Sequence, residues 1–132
     1  MLMGADFLVE DRLPLVTELV TAQHRGGDVE GARTELGRAL ALYDSESAHI
    51  VNIYRARCLR SLAEGFHLVG DDAQALTLYA RAVEAGQLNP NSRPRADDLV
   101  ATCCSMAHTG AEPDEALMQR LRDIRAKLGN PW

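Results

Sequence analysis

Stretches with an apolar residue every three or four positions alternate along this chain with short interruptions of glycine, aspartate and proline. The first stretch runs from about Asp6 to Arg25 and sets Leu8, Leu15, Val16, Leu19 and Val20 on one helical face. Gly26-Gly27 ends it. Asp28 is suited to cap a second helix, which carries Ala32, Leu36, Ala39, Leu40 and Tyr43 and stops at Asp44-Ser45. From there to Val69, the residues Ile50, Ile53, Tyr54, Leu59, Leu62, Ala63 and Phe66 keep one register. Capped by Asp44 or Ser45, this stretch predicts an unbroken helix of about 24 residues, about 36 Å long.

Gly70 closes that helix and Asp71 opens a fourth, to about Ala85. Asn89-Pro90-Asn91-Ser92 is the strongest break in the chain. Pro94 suits the first turn of a fifth helix ending near Thr109. Gly110 stops it and Pro113 starts a sixth, whose apolar stripe is Leu117, Leu121, Ile124 and Leu128 before Gly129-Asn130-Pro131. Aromatic and β-branched residues are sparse, so the fold class expected is all-α.

Two of the interruptions repeat one another. Gly27-Asp28 is followed by Ala32 and Ala39, and Gly70-Asp71 by Ala75 and Ala82, at the same offsets. Gly110 marks a weaker third copy, and the three glycines stand 43 and 40 residues apart. Recurrence on this scale predicts stacked helical hairpins. The expected architecture is an α-α superhelix of six helices in three antiparallel hairpins, about 6–43, 45–86 and 94–129, forming a single domain over 1–132. The repeated alanines let two helices approach to the close end of the roughly 8–10 Å packing range.

At these positions the chain resembles the tetratricopeptide repeat family. The middle hairpin carries the pattern in Leu59, Leu62-Ala63, Phe66, Gly70-Asp71, Ala75, Tyr79 and Ala82. The first carries it in Val16, Leu19-Val20, Gly27-Asp28, Ala32, Leu36 and Ala39, with polar Gln23 where an aromatic is usual. In the third, Leu99, Cys103, Met106 and Gly110 fit, and Ala116 aligns after a one-residue insertion. The likeness covers about residues 13–128, and its long period is similar to that in kinesin light chains and in the sensor domains of some large bacterial transcription regulators.

The resemblance implies that the first helix of each hairpin lines a concave groove. That assigns Thr17, Thr21, His24 and Arg25 from the first hairpin, and Arg57, Arg60, Ser61, Glu64 and His67 from the second. Asp97, Val100, Cys104, Ala107 and His108 follow from the third. Inward arginine and histidine would favour an acidic peptide, a carboxylate or a phosphate. The opposing reading is a solvated face with each arginine beside its own carboxylate. The family's carboxylate clamp of Lys and Asn is absent, since those positions hold Thr17, Thr21, Ser61, Asp97 and Ala101.

Composition narrows the picture. A net charge of −5 argues against a general nucleic-acid binder. No run approaches the roughly 18 apolar residues of a membrane span. Met1 to Val9 is interrupted by Asp6 and lacks a preceding basic residue, so it is a poor signal peptide. Cys58, Cys103 and Cys104 make no disulfide framework and point to a reducing, cytoplasmic setting. Cys103 sits where a small core residue is wanted, and Cys104 is the thiol expected nearer solvent. Only Lys127 among the 14 basic residues is a lysine, the coding bias expected of a GC-rich bacterial genome.

His24, His67 and His108 recur at the repeat period rather than at a metal-ligand spacing, so no metal is expected. No phosphate-cradling loop, His-Glu-x-x-His or nucleophile elbow is present. Asp71-Asp72 and Asp97-Asp98 are explained by helix capping. The expectation is therefore a non-enzymatic bacterial adaptor without cofactors, binding a protein or peptide in its groove. Its alternatives are a three-repeat secretion chaperone and a sensor domain for a small effector or signalling peptide. Arg25, Arg57, Arg60 and His67 are the leading contact candidates. Leu117, Leu121, Ile124 and Leu128 with Trp132 are candidates for homodimer formation, unless the third hairpin uses that stripe itself.

Overall fold

The structure is a computed structural model that describes residues 9–128. Its regular elements there are all helical: α1 (Val9–Arg25), α2 (Val29–Glu46), α3 (Asn52–Leu68), α4 (Asp72–Gln87), α5 (Ser92–Thr109) and α6 (Glu115–Leu128), with a 3-10 turn at Ser47–His49. No helix among the described residues is long and apolar enough to cross a membrane.

Turn chemistry divides the helices. Gly27, Gly70 and Gly110 have φ of +87°, +85° and +79°, a left-handed conformation that side chains with a Cβ rarely adopt. In each turn the amide after the glycine reaches back five residues: Asp28 to the Gln23 carbonyl, Asp71 to Phe66 and Ala111 to Met106, all at 2.9 Å. Asp28 and Asp71 then cap the next helix, accepting from the amides of Gly31 at 2.9 Å and Gln74 at 3.2 Å. The third turn differs. Its cap is Asp114, which accepts from the Leu117 amide at 2.8 Å, so Ala111, Glu112 and Pro113 lie between glycine and cap. α6 therefore begins after Asp114 rather than at Pro113. Ala116, expected to take the small-residue position, is exposed, and Leu117 turns inward instead.

The long helix expected over 45–69 is broken. α2 continues through Ser45 to Glu46, and Ser45 donates to the Leu42 carbonyl at 3.0 Å instead of capping a new helix. After the 3-10 turn, Ile50 (φ −86°, ψ 128°) and Val51 (φ −65°, ψ 148°) are extended, and α3 starts at Asn52 with no side-chain cap. The β-branched pair Ile50-Val51 tolerates this backbone well. The bend also turns Ile50 into the core at 2% exposure. Arg55 Nε donates to the Ile50 carbonyl at 2.8 Å and holds the bend.

α3 is the central helix: it packs on α1, α2, α4 and α5, while α1 also packs on α2 and α4 on α5. Ala32, Ala39, Ala75 and Ala82 are all buried, as their recurrence predicts. Between α2 and α3 the Leu36 side chain lies close over Gly65, where a Cβ would stand 2.5 Å from Leu36 Cδ2. Counted from the turn glycines Gly27, Gly70 and Gly110, Tyr79 stands at the offset of Leu36 and Ser105 at that of Gly65. Tyr79 Oη and Ser105 Oγ are 2.7 Å apart, so the same contact is made once by a methyl on a glycine and once by a hydrogen bond. The backbone of α6 approaches the other helices only sparsely. Leu117 and Ile124 anchor it in the core, with Leu121 partly buried against the same cluster.

A Gly65→Ala change should test that approach. Alanine gains about 1 kcal/mol of helix propensity. Overpacking against Leu36 should cost about 1–3 kcal/mol and leave a net loss. In a Leu36→Ala background the same change should become stabilising, as read by urea unfolding of the four chains.

Candidate functional site

The side chains expected along a groove of first helices are distributed among several separate contacts. Thr21 donates to the Thr17 carbonyl at 2.9 Å, and Thr17 lies 3.2 Å from the Ser61 carbonyl, within the α1–α3 contact. Arg57 stacks over the Tyr54 ring at 4.9 Å and lies 3.9 Å from Asp11 Oδ1. Arg60 is 14% exposed and reaches Asp98 Oδ1 at 3.5 Å and Thr102 Oγ1 at 3.3 Å, between α3 and α5. His67 sits apart from these, its Nδ1 3.0 Å from Asp72 Oδ1, beside a small cleft of about 400 Å³ with Leu76, Ala111 and Glu112. His24 is half-buried, while Arg25, Cys104 and His108 are exposed. The structure thus brings Arg60 and Glu64 to one interface and does not join Arg25 or His67 to them.

Glu64 closes a polar chain across that interface. Ser105 donates to Glu64 Oε2 at 2.6 Å, which commits the serine proton and makes Tyr79 the donor to Ser105. Thr109 Oγ1 lies 3.3 Å from the Tyr79 oxygen. Burial pushes the Tyr79 phenol up from its ordinary value, and its hydrogen bonds to Ser105 and Thr109 work against that rise. The neighbouring connection is tied in by Asn89, whose Nδ2 donates to Asp98 Oδ2 at 2.6 Å. These residues act as a structural seam between α3, α4 and α5.

The larger concavity lies on the other helices. A cleft of about 1130 Å³ opens between the C-terminal part of α2, the outer face of α4 and the start of α6. Leu76, Thr77 and Ala80 of α4 line it with Leu59 of α3, while Tyr43, Ala116 and Leu117 contribute from its sides. Two ion pairs bridge the helices around it: Arg81 to Asp44 at 2.6 Å, and Arg120 to Glu84 through paired contacts of 2.6 and 2.8 Å. Arg81 also stands 5.5 Å over the Tyr43 ring. The Arg120 hydrogen bonds hold the Glu84 carboxyl below its ordinary range. Both pairs are solvent-accessible, so their contribution lies more in positioning than in stability.

Tyr43, Arg55, Arg81, Glu84 and Arg120 carried no sign of a site in the sequence. One signal was present: Ala73, Thr77 and Ala80 form a second small-residue face on α4, distinct from the buried face of Ala75 and Ala82. Among the described residues no three His, Cys, Asp or Glu groups come together as a metal site. Cys58 is buried, Cys103 packs half-buried against the core, and Cys104 is exposed. Burial, and then the neighbouring Cys104, push the Cys103 thiol up. Of the residues considered for self-association, Leu117 and Ile124 are buried within this chain. The Leu128 side chain and Trp132 lie outside what the structure describes. Compared with known protein families, curated proteins and solved structures, the chain matches none.

Tyr79→Phe should cost about 1 kcal/mol, the usual worth of a buried neutral hydrogen bond. Combined with Ser105→Ala, the loss should be less than additive in a double-mutant cycle by urea unfolding. Acid should loosen α6. Because the folded Glu84 pKa is lowered, its bond to Arg120 contributes fully above the ordinary Glu range and is lost as pH falls through the lowered value. Hydrogen exchange of α6 amides should quicken on that descent, and Glu84→Gln should flatten the response.

Proposed function

We propose that this chain is a non-enzymatic interaction module, a tetratricopeptide-type array of helical hairpins that seats an apolar segment of a partner protein between α2, α4 and α6. The cleft carries the reading: it has an apolar floor, its bridging ion pairs hold the flanking helices, and its length along α4 suits an extended or helical segment. The array is supported by the shared glycine turns, the aspartate caps and the equivalence of the Leu36–Gly65 and Tyr79–Ser105 contacts. The face of α1, α3 and α5 is the weaker seat. Arg60 and Glu64 spend their polar groups between helices there, and the side chains left outermost include scattered Arg25, Cys104 and His108.

Peptides selected from a displayed random library against the full chain should locate the seat. Thr77→Arg places a long cation on the exposed cleft floor and should weaken the selected peptides at least tenfold without changing the circular dichroism. Val100→Arg, on the exposed face of α5, should leave them bound. The reverse pattern would move the site to the first helices.

A further inference from the structure

One positive charge in the cleft has no counter-charge among the described residues. The carboxylates at or bordering the cleft already have partners: Asp44 pairs with Arg81, Glu84 with Arg120, and Asp114 Oδ1 accepts from the Leu117 amide. Arg55 is half-buried, lines the cleft, and spends its Nε on the Ile50 carbonyl, which fixes it at the bend between α2 and α3. No carboxylate of the described residues pairs with it. Tyr43 stands in the same lining at 3% exposure, and its hydroxyl makes no hydrogen bond to a described residue. Ser47 belongs to the same lining. Burial raises the Tyr43 phenol; Arg81 and, less strongly, Arg55 pull it back toward its ionised form, while Cys58 and Asp44 act with burial, so both cations lie within electrostatic reach of that hydroxyl. Glu46, next to Ser47, does not line the cleft.

This arrangement is the reverse of the chain as a whole, which carries a surplus of acid. A half-buried guanidinium has lost part of its hydration and has two terminal nitrogens uncommitted, so a carboxylate in their plane recovers a charge-assisted pair. We propose that the Arg55–Tyr43 end of the cleft receives an Asp or Glu side chain of the bound segment, with the carboxylate on the Arg55 fork and the Tyr43 hydroxyl donating to it. The inference rests on the cleft being the seat of a partner segment. It favours an acidic residue within an apolar stretch over a free anion, because Leu59, Leu76 and Ala80 line the same cleft as these donors and a small ion would leave them uncovered.

The library selection against the full chain tests this directly. Selected peptides should share an Asp or Glu at a constant offset from an apolar cluster, and its replacement by Asn or Gln should weaken binding about tenfold or more. Arg55→Ala should weaken the acidic peptides by a similar factor and their Asn or Gln counterparts little. Tyr43→Phe, which keeps the buried ring and so the fold, should cost a smaller part of the same selectivity. Peptides that are lost with Thr77→Arg but bind Arg55→Ala and Tyr43→Phe like the parent would overturn the acidic anchor and leave the cleft standing. Peptides indifferent to all three changes would overturn both. Saturable, Arg55-dependent thermal stabilisation by inorganic phosphate, without any acidic peptide being selected, would replace the protein partner with a small anion.

Discussion

The contact that the rest of the structure depends on is the close seating of α2 on α3 and of α4 on α5. It occurs twice at equivalent positions. Leu36 presses where a Cβ on Gly65 would leave only 2.5 Å, and Tyr79 reaches Ser105 at 2.7 Å. In a densely packed interior a methyl at Gly65 would have to displace the Leu36 side chain, so the contact couples the two helices it joins. Through it α3 meets α2 as well as α1, α4 and α5, and becomes the helix around which the others are arranged. The buried alanines on α2 and α4 act in the same direction, by keeping each hairpin narrow.

The two copies of this contact differ in chemistry, and the difference spreads. The apolar copy needs nothing beyond shape. The polar copy puts a phenol into the interior, and that phenol requires partners. Ser105, Glu64 and Thr109 supply them, and Arg60, Asp98 and Asn89 extend the polar seam toward the connection before α5. Residues that a repeat alignment assigns to a binding face are thereby drawn into the joint between hairpins. A side chain that satisfies a buried neighbour is poorly placed to greet a ligand.

The opposite effect operates on α2, α4 and α6. Their backbones are held apart, and long side chains span the gap in the Asp44–Arg81 and Glu84–Arg120 pairs. Spacing of this kind produces a concavity without any residue being special in sequence. The insertion of Ala111, Glu112 and Pro113 before the Asp114 cap adds to it, because it sets the start of α6 away from the position a strict repeat would give.

By itself the sequence determined the number and character of the helices, the glycine stops at positions 27, 70 and 110 and the burial of the repeated alanines. Local backbone preferences and one-sided periodicity are enough for each of these. It did not determine the bend at Ile50, because an isoleucine in register with a helix looks the same whether it continues the helix or leaves it to fill the core. Nor did it separate Arg60, absorbed between α3 and α5, from Arg55, left without a carboxylate beside Tyr43. Their five-residue separation carries no record of which neighbours each will meet. Only the tertiary structure decided that, since pairing depends on which helices are brought within reach of one another, and here that was settled by the seating of Leu36 on Gly65 and of Tyr79 on Ser105.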